Sequence, residues 1–198
     1  MGPESLRELR AQATACKACP LWANATQTVF GAGSTTALAM LVGEQPGDEE
    51  DLKGLPFVGP AGKLLDQALA AARIERSELY ITNTVKHFKW EPRGKRRLHK
   101  TPAQREIEAC RRWLDAEIAA LKPRVIACLG ATAARALLGA DFRVSTMRGK
   151  FVPSALAPFA FATLHPSALL RLKDAEEKGV AFAQLVKDLR LIRKALAT

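Results

Sequence analysis

The 198-residue sequence has no apolar run approaching the roughly 18 residues that would suggest a membrane-spanning helix. Its opening residues are too polar for the apolar core of a signal peptide, so a cytoplasmic location is expected. No internal repeat, low-complexity tract or linker-like stretch is present, and residues 1–198 read as a single domain large enough for a sizeable core. Cysteine is scarce. Four residues are too few for a disulfide-dense secreted scaffold, and in a reducing compartment they suit metal ligation better than disulfides. With 48% hydrophobic and 25% charged residues the composition is that of a globular chain, which excludes disordered and collagenous classes. Acidic residues are in deficit: 20 Asp and Glu face 30 Lys and Arg, and the resulting charge of +10 makes a polyanion the first partner to consider.

The charge is unevenly placed. Residues 1–85 are net acidic, whereas residues 86–105 hold eight basic groups and one acidic, and residues 142–173 hold five basic and none acidic. Both basic stretches look loop-like, broken by Pro92, Gly94, Gly149, Pro153 and Pro166, and the first interleaves its cations with Phe88, Trp90 and His99. That mixture favours nucleic-acid contact over a merely solvated face.

Short apolar runs alternate with longer helical patterns. Ala37–Gly43, Leu79–Asn83, Arg124–Gly130 and Pro158–His165 read as buried strands. Helices are expected over Glu4–Ala15, over Pro60–Arg73, from a Thr101-Pro102 cap to about Leu121, and over Ala131–Leu138 and Asp174–Ala197. The alternation implies an α/β fold, a three-layer α/β/α sandwich around a central, mostly parallel four-stranded sheet. Ligands of such sheets gather beyond the carboxyl ends of the strands. There stand Glu44 and Gln45 after the first strand, Asn83 at the end of the second and His165 after the last.

Cys16-Lys17-Ala18-Cys19 forms a C-x2-C pair, and Cys110 and Cys128 follow after 90 and then 17 intervening residues. Cys128 falls in an apolar strand, where cysteine behaves as a small hydrophobe. One pair and two singles fit an iron–sulfur cluster gathered from three segments at least as well as zinc, and spacing alone leaves both open.

The segments Gly43-Glu44-Gln45-Pro46-Gly47-Asp48 and Gly54-Leu55-Pro56-Phe57-Val58-Gly59, together with Thr82-Asn83 and His165-Pro166-Ser167, resemble in order the motifs of the iron–sulfur uracil-DNA glycosylases. The likeness spans nearly the whole chain. Two departures from the ordinary family-4 pattern, Gln45 in place of Ala and the basic insertion Lys95-Arg96-Arg97-Leu98-His99-Lys100, are similar to the UdgX branch, whose members excise uracil and then become covalently trapped on DNA. The resemblance implies a [4Fe-4S] cluster held by Cys16, Cys19, Cys110 and Cys128, and a monomer acting on uracil-containing DNA, with single strands favoured.

It also implies roles. Phe57 stacks on the flipped base, beside Gly43. Asn83 offers its amide donor to uracil O4 and its carbonyl to N3–H, a polarity that cytosine would mismatch. His165 donates to uracil O2 as charge builds there, assisted by backbone N–H groups of the Gly43–Asp48 loop. Glu44, with Asp48 as a water-positioning partner, favours the oxocarbenium-like sugar. His99 attacks the sugar, oriented by Glu44 or Gln45 and kept neutral by Lys95, Arg96, Arg97 and Lys100. Ser167, Arg171 and Lys173 hold flanking phosphates. The alternatives are a turnover glycosylase in which His99 only binds DNA, and a non-catalytic iron–sulfur or zinc binding module.

Overall fold

The structure, a computed structural model, describes residues 4–198. In chain order its elements are α1 (Leu6–Ala13), β1 (Ala32–Gly33), β2 (Ala39–Gly43), α2 (Asp48–Lys53), α3 (Pro60–Ala72), β3 (Leu79–Asn83), β4 (Trp90–Arg93) and β5 (Arg96–His99). There follow α4 (Gln104–Leu121), β6 (Val125–Leu129), α5 (Ala131–Leu138), α6 (Val144–Met147), β7 (Phe159–Thr163), α7 (Pro166–Leu170) and α8 (Ala175–Ala197).

The central sheet runs β1-β3-β2-β6-β7. Its four long strands are mutually parallel, and the expected four strands become five because the two-residue β1 adds antiparallel to β3 at the edge. So short a segment has no periodicity to detect. Alternation along each strand divides the core. Ala39, Leu41, Val125, Ala127 and Leu129 face α3 and α8, whereas Met40, Val42, Ile126 and Cys128 face α4 and α5. Both faces are covered, so the strands read as continuous apolar runs. Among the described residues no helix is long and apolar enough to cross a membrane.

Helix ends differ in detail from expectation. Ser5 caps α1 in a reciprocal box with Glu8, and Asp174 caps α8. Thr101-Pro102 does not cap α4; the cap is Ala103, whose N–H donates to Glu106 Oε2 at 2.6 Å. A carboxylate reaching back from the third helical residue thus does the work expected of a Thr hydroxyl.

The basic insertion is a β-hairpin and not a loop. β4 and β5 pair antiparallel with Trp90 opposite His99 and Arg93 opposite Arg96, around a turn whose first residue, Gly94, takes φ 59°. A third, smaller core cluster packs the N-terminal segment onto α4 through Leu9, Ala13, Phe30 and Trp113, with Cys16, Cys19 and Cys110 in it.

Candidate active site

The carboxyl ends of β2, β3 and β7 converge on a cavity of about 210 Å³ lined by Gln45, Phe57, Asn83, His99, His165 and Arg171 among others. Gly43 ends β2 beneath it. A Cβ there would collide with Asn83 Oδ1 and the Phe57 ring, so the bare backbone is what lets these two side chains meet. Phe57 is buried and holds φ 54°, a left-handed conformation that a non-glycine residue adopts only when its surroundings enforce it. The enforcement is visible. Arg76 donates to the carbonyls of Pro56 and Phe57 at 3.0 and 3.1 Å, and Glu50 accepts from the N–H groups of Val58 and Gly59 at 2.9 and 2.7 Å.

Glu50 also accepts from Gly47 N–H at 3.1 Å, tying the loop after β2 to the Phe57 loop. That N–H, expected to face uracil, is therefore engaged within the protein. Sequence reasoning missed Glu50, although Gly47-Asp48-Glu49-Glu50 carries the spacing of a helix-start box.

Asn83 is 1% exposed, and its Oδ1 is buried without a hydrogen-bond partner. Few buried polar atoms are left so, and one aimed at a cavity marks a position for a ligand donor. Its backbone carbonyl is fixed from behind by Lys86 Nζ at 2.6 Å, which also donates to Thr82 Oγ1 at 2.7 Å and to Glu117 Oε2 at 2.6 Å. Lys86 and Glu117 are both buried, and Glu117 accepts further from Gly31 N–H, Tyr80 and Thr82. The ion pair is thus fully hydrogen-bonded, the condition for tolerating charge in the interior. Neither residue was identified from sequence; a lysine after an apolar strand gives no sign that it turns inward.

His165 caps α7 with its own ring: Nδ1 accepts from Ser167 N–H at 3.1 Å and lies 2.8 Å from Ser167 Oγ. With Nδ1 accepting, the neutral ring carries its proton on Nε2. Burial, reinforced by His99 and Arg171, pushes the pKa down to about 4. His165 is therefore a neutral donor at physiological pH. Gly130, at φ 89°, allows this approach, because a Cβ there would lie 2.8 Å from His165 Cβ.

His99, at the end of β5, is brought to the same cavity from the hairpin, with its ring 6.0 Å from that of Phe88. Gln45 accepts from Lys89 N–H at 3.1 Å, so its amide nitrogen faces the other way, 2.9 Å from His99 Nε2 and from the Lys100 carbonyl and 3.2 Å from that of Lys89. His99 Nε2 is consequently an acceptor, with its lone pair turned to the site. Two amide protons serve three acceptors, which leaves the His99 contact the easiest to give up.

The His99 pKa is lowered first by burial and then by Arg171, against the opposing pull of Glu44. The expectation that the hairpin cations do this is corrected. Arg97 is turned away, pairing with Asp48 Oδ1 and Asp51 Oδ2 at 2.5 Å each, and Lys100 pairs with Glu91 at 2.8 Å.

Glu44 lies 3.6 Å from His99 Nε2 and accepts a short hydrogen bond from Thr132 Oγ1. It lines a second, adjoining cavity of about 160 Å³ with His99, His165, Ser167 and Arg171. Thr132 was not foreseen, since nothing in the sequence distinguishes it from any helix threonine. Asp48 lines neither cavity and faces Arg97, Lys95 and Arg96 on the outer side of the hairpin. Arg148 pairs with Asp188 at 2.6 Å.

The cysteines divide. Cys16 and Cys19 pack against Cys110, whose thiol is pushed up to about 11 by burial and, to a smaller extent, by Cys19 and Cys16. Cys110 Sγ accepts from Lys86 N–H at 3.2 Å, and Cys16 Sγ from Trp113 Nε1 at 3.1 Å. Cys128 belongs to a different cluster, the core between the sheet, α4 and α5, and its thiol is raised by burial alone. The four-cysteine set implied by resemblance is therefore not assembled. Strand alternation commits Cys128 to the apolar core. No three His, Cys, Asp or Glu side chains among the described residues stand as a ready coordination shell.

Comparison with known proteins follows the same outline. The sequence profile of the Uracil DNA glycosylase superfamily matches residues 30–190. A type-4 uracil-DNA glycosylase of Thermotoga maritima is 37% identical over 180 residues, covering 90% of each chain. One from Pyrobaculum aerophilum is 38% identical over 163 residues, 79% of this chain and 80% of that protein. One from Archaeoglobus fulgidus is 41% identical over 132 residues, 67% of this chain and 63% of that protein.

Proposed function

The chain belongs to the uracil DNA glycosylase superfamily, and we propose that it excises uracil from DNA and then joins the resulting sugar to His99. The observation that carries the excision step is the unpartnered, buried Oδ1 of Asn83 opposite the Nε2–H of His165 across the 210 Å³ cavity. Uracil fills both. Its N3–H satisfies Asn83 Oδ1, and its O2 accepts from His165. Cytosine has an acceptor at N3 and would leave two acceptors face to face, a desolvated mismatch worth about 1–3 kcal/mol per group. Phe57 is the face against which the extruded base stacks.

Cleavage breaks the C1′–N1 bond, leaving negative charge on uracil and positive charge on the sugar. His165, neutral and already oriented, meets the first without reorganisation. Glu44, held by Thr132, meets the second. His99 Nε2 then forms a bond to C1′. Its lone pair becomes the N–C1′ bond, the product is an N-alkylated imidazolium beside Glu44, and uracil leaves as the anion and takes its proton from solvent. Placement of the nitrogen at the site gives it a high effective concentration against water.

Single-stranded DNA is the preferred substrate in this reading, because flipping there costs least. A single chain supplies every residue required. An iron–sulfur cluster, implied by the resemblance, fits three of the four cysteines in their shared cluster and does not fit Cys128, and no step above runs through it.

The test is a denaturing gel of the protein with uracil-containing single-stranded DNA. The expected product is a slow-migrating adduct that survives denaturant. An alkali-labile abasic strand without adduct would overturn the trapping step and leave a turnover glycosylase; unchanged DNA would overturn the enzymatic reading altogether.

A further inference from the structure

With Cys128 removed from the set, the three gathered cysteines lack a fourth partner. His87 is buried, 5% exposed, in the segment that joins β3 to β4. The residue before it, Lys86, donates its N–H to Cys110 Sγ at 3.2 Å. Its ring is tied to the other two cysteines through a relay: Thr28 Oγ1 lies 2.9 Å from His87 Nε2 and donates to the Ala13 carbonyl at 3.0 Å, the same carbonyl that accepts from Cys16 N–H at 3.0 Å.

The relay fixes the proton. The Thr28 hydroxyl has one hydrogen, and the Ala13 carbonyl can only accept it. Thr28 oxygen therefore accepts from Nε2–H of His87, and the lone pair of the neutral ring resides on Nδ1. Nδ1 has no hydrogen bond to a described residue; the contact of this ring is through Nε2. A buried imidazole with one nitrogen donated to an outer partner and the other free is the arrangement of a metal-ligating histidine.

We propose that His87, through Nδ1, is the fourth protein ligand of the cluster, with Cys16, Cys19 and Cys110 as the other three, and that Cys128 takes no part. The assignment rests on the reading that a cluster is present. It has a chemical consequence: a neutral imidazole replaces an anionic thiolate, so the cluster carries one negative charge fewer and its reduction potential rises relative to a four-thiolate site.

The test uses full-length protein purified without oxygen, wild type beside His87→Cys, His87→Ala and Cys128→Ala. Iron and sulfide content, visible absorption, midpoint potential and nitrogen hyperfine coupling of the reduced cluster are measured. Cys128→Ala is expected to keep iron, sulfide and spectrum. His87→Ala should lose most of its iron, and His87→Cys should retain a cluster with a lower potential and no nitrogen coupling. Loss of the cluster in Cys128→Ala, or wild-type potential and nitrogen coupling in His87→Cys, overturns the assignment alone. Absence of iron and sulfide from the wild type overturns the cluster and the assignment together.

Discussion

The two histidines of the site are held by unlike regions. His165 stands on the end of a central strand, boxed by Gly130 and capped into α7, with the whole sheet beneath it. His99 stands on a two-stranded ribbon outside that sheet, attached through Gln45 on one side and through Arg97 to Asp48, Asp51 and Thr26 on the other. The first region has rigidity from backbone pairing and apolar burial. The second depends on a few polar contacts, and the arginines of its turn are exposed. Base recognition and bond cleavage are thus built into the fold, whereas the fate of the sugar is decided by an attachment that can be altered without touching the fold.

The sharpest way to separate the regions is His99→Ser. Adduct should disappear entirely while uracil release stays within about tenfold of wild type, with free abasic strand as product; an undiminished adduct on the denaturing gel would break the division. Asn83→Ala acts on the other side. Losing the polar match to the base should slow excision about 100-fold, equivalent to about 2.7 kcal/mol, measured as single-turnover uracil release, with adduct falling in parallel.

Arg97→Ala loosens the attachment itself. It strands the fully buried Asp51 carboxylate, which retains only the Thr26 N–H, so stability should fall by roughly 3 kcal/mol in denaturant unfolding. Adduct yield should drop about tenfold at a temperature where the variant remains folded, with excision changed less than threefold. Equal losses in both would show that hairpin and pocket are one unit.

Acid should divide the two histidines further. The His99 pKa lies below its ordinary 6.5, so at neutral pH its nitrogen is free to attack. As pH falls through that lowered pKa, adduct should give way to free abasic product. His165, with a pKa near 4, remains a neutral donor over the same range, and excision should persist. The sign for stability follows from the same displacement. An unfolded chain takes up a proton near pH 6.5 that the folded His165 refuses until about 4. Folding stability therefore falls between those values as acid is added, by at most about 3 kcal/mol. The smallest effect belongs to Thr132→Ala, which frees Glu44 to rotate and should reduce excision about threefold.

The sequence made the sheet legible because its long strands are buried on both faces: each is an uninterrupted apolar run whose ends lie within two residues of expectation. The polar residues at those ends, Asn83 and His165, were legible for the same reason. The hairpin was not, since a two-sided, solvated ribbon rich in arginine, with Pro92 within it, shows no alternation to mark it as paired. Its charge pointed to a polyanion, yet charge alone could not reveal that Arg97 faces inward to two aspartates. Glu50 and Asp51 sat unnoticed in an acidic run that looks solvated. Cys128 had the opposite fault: its residue type suggested a ligand, while its place in strand alternation put it in the core.

Lys86 touches both halves of the molecule at once, its ammonium on the Asn83 carbonyl and its backbone N–H on Cys110. The reach from one contact to the other is the length of a single side chain. No hinge or loop intervenes to absorb a displacement, so a shift of the cysteine segment is delivered directly to the residue that reads the base. Errors of base choice are then a sensitive gauge of damage at the far cysteines, audible in the products before the protein has lost its shape.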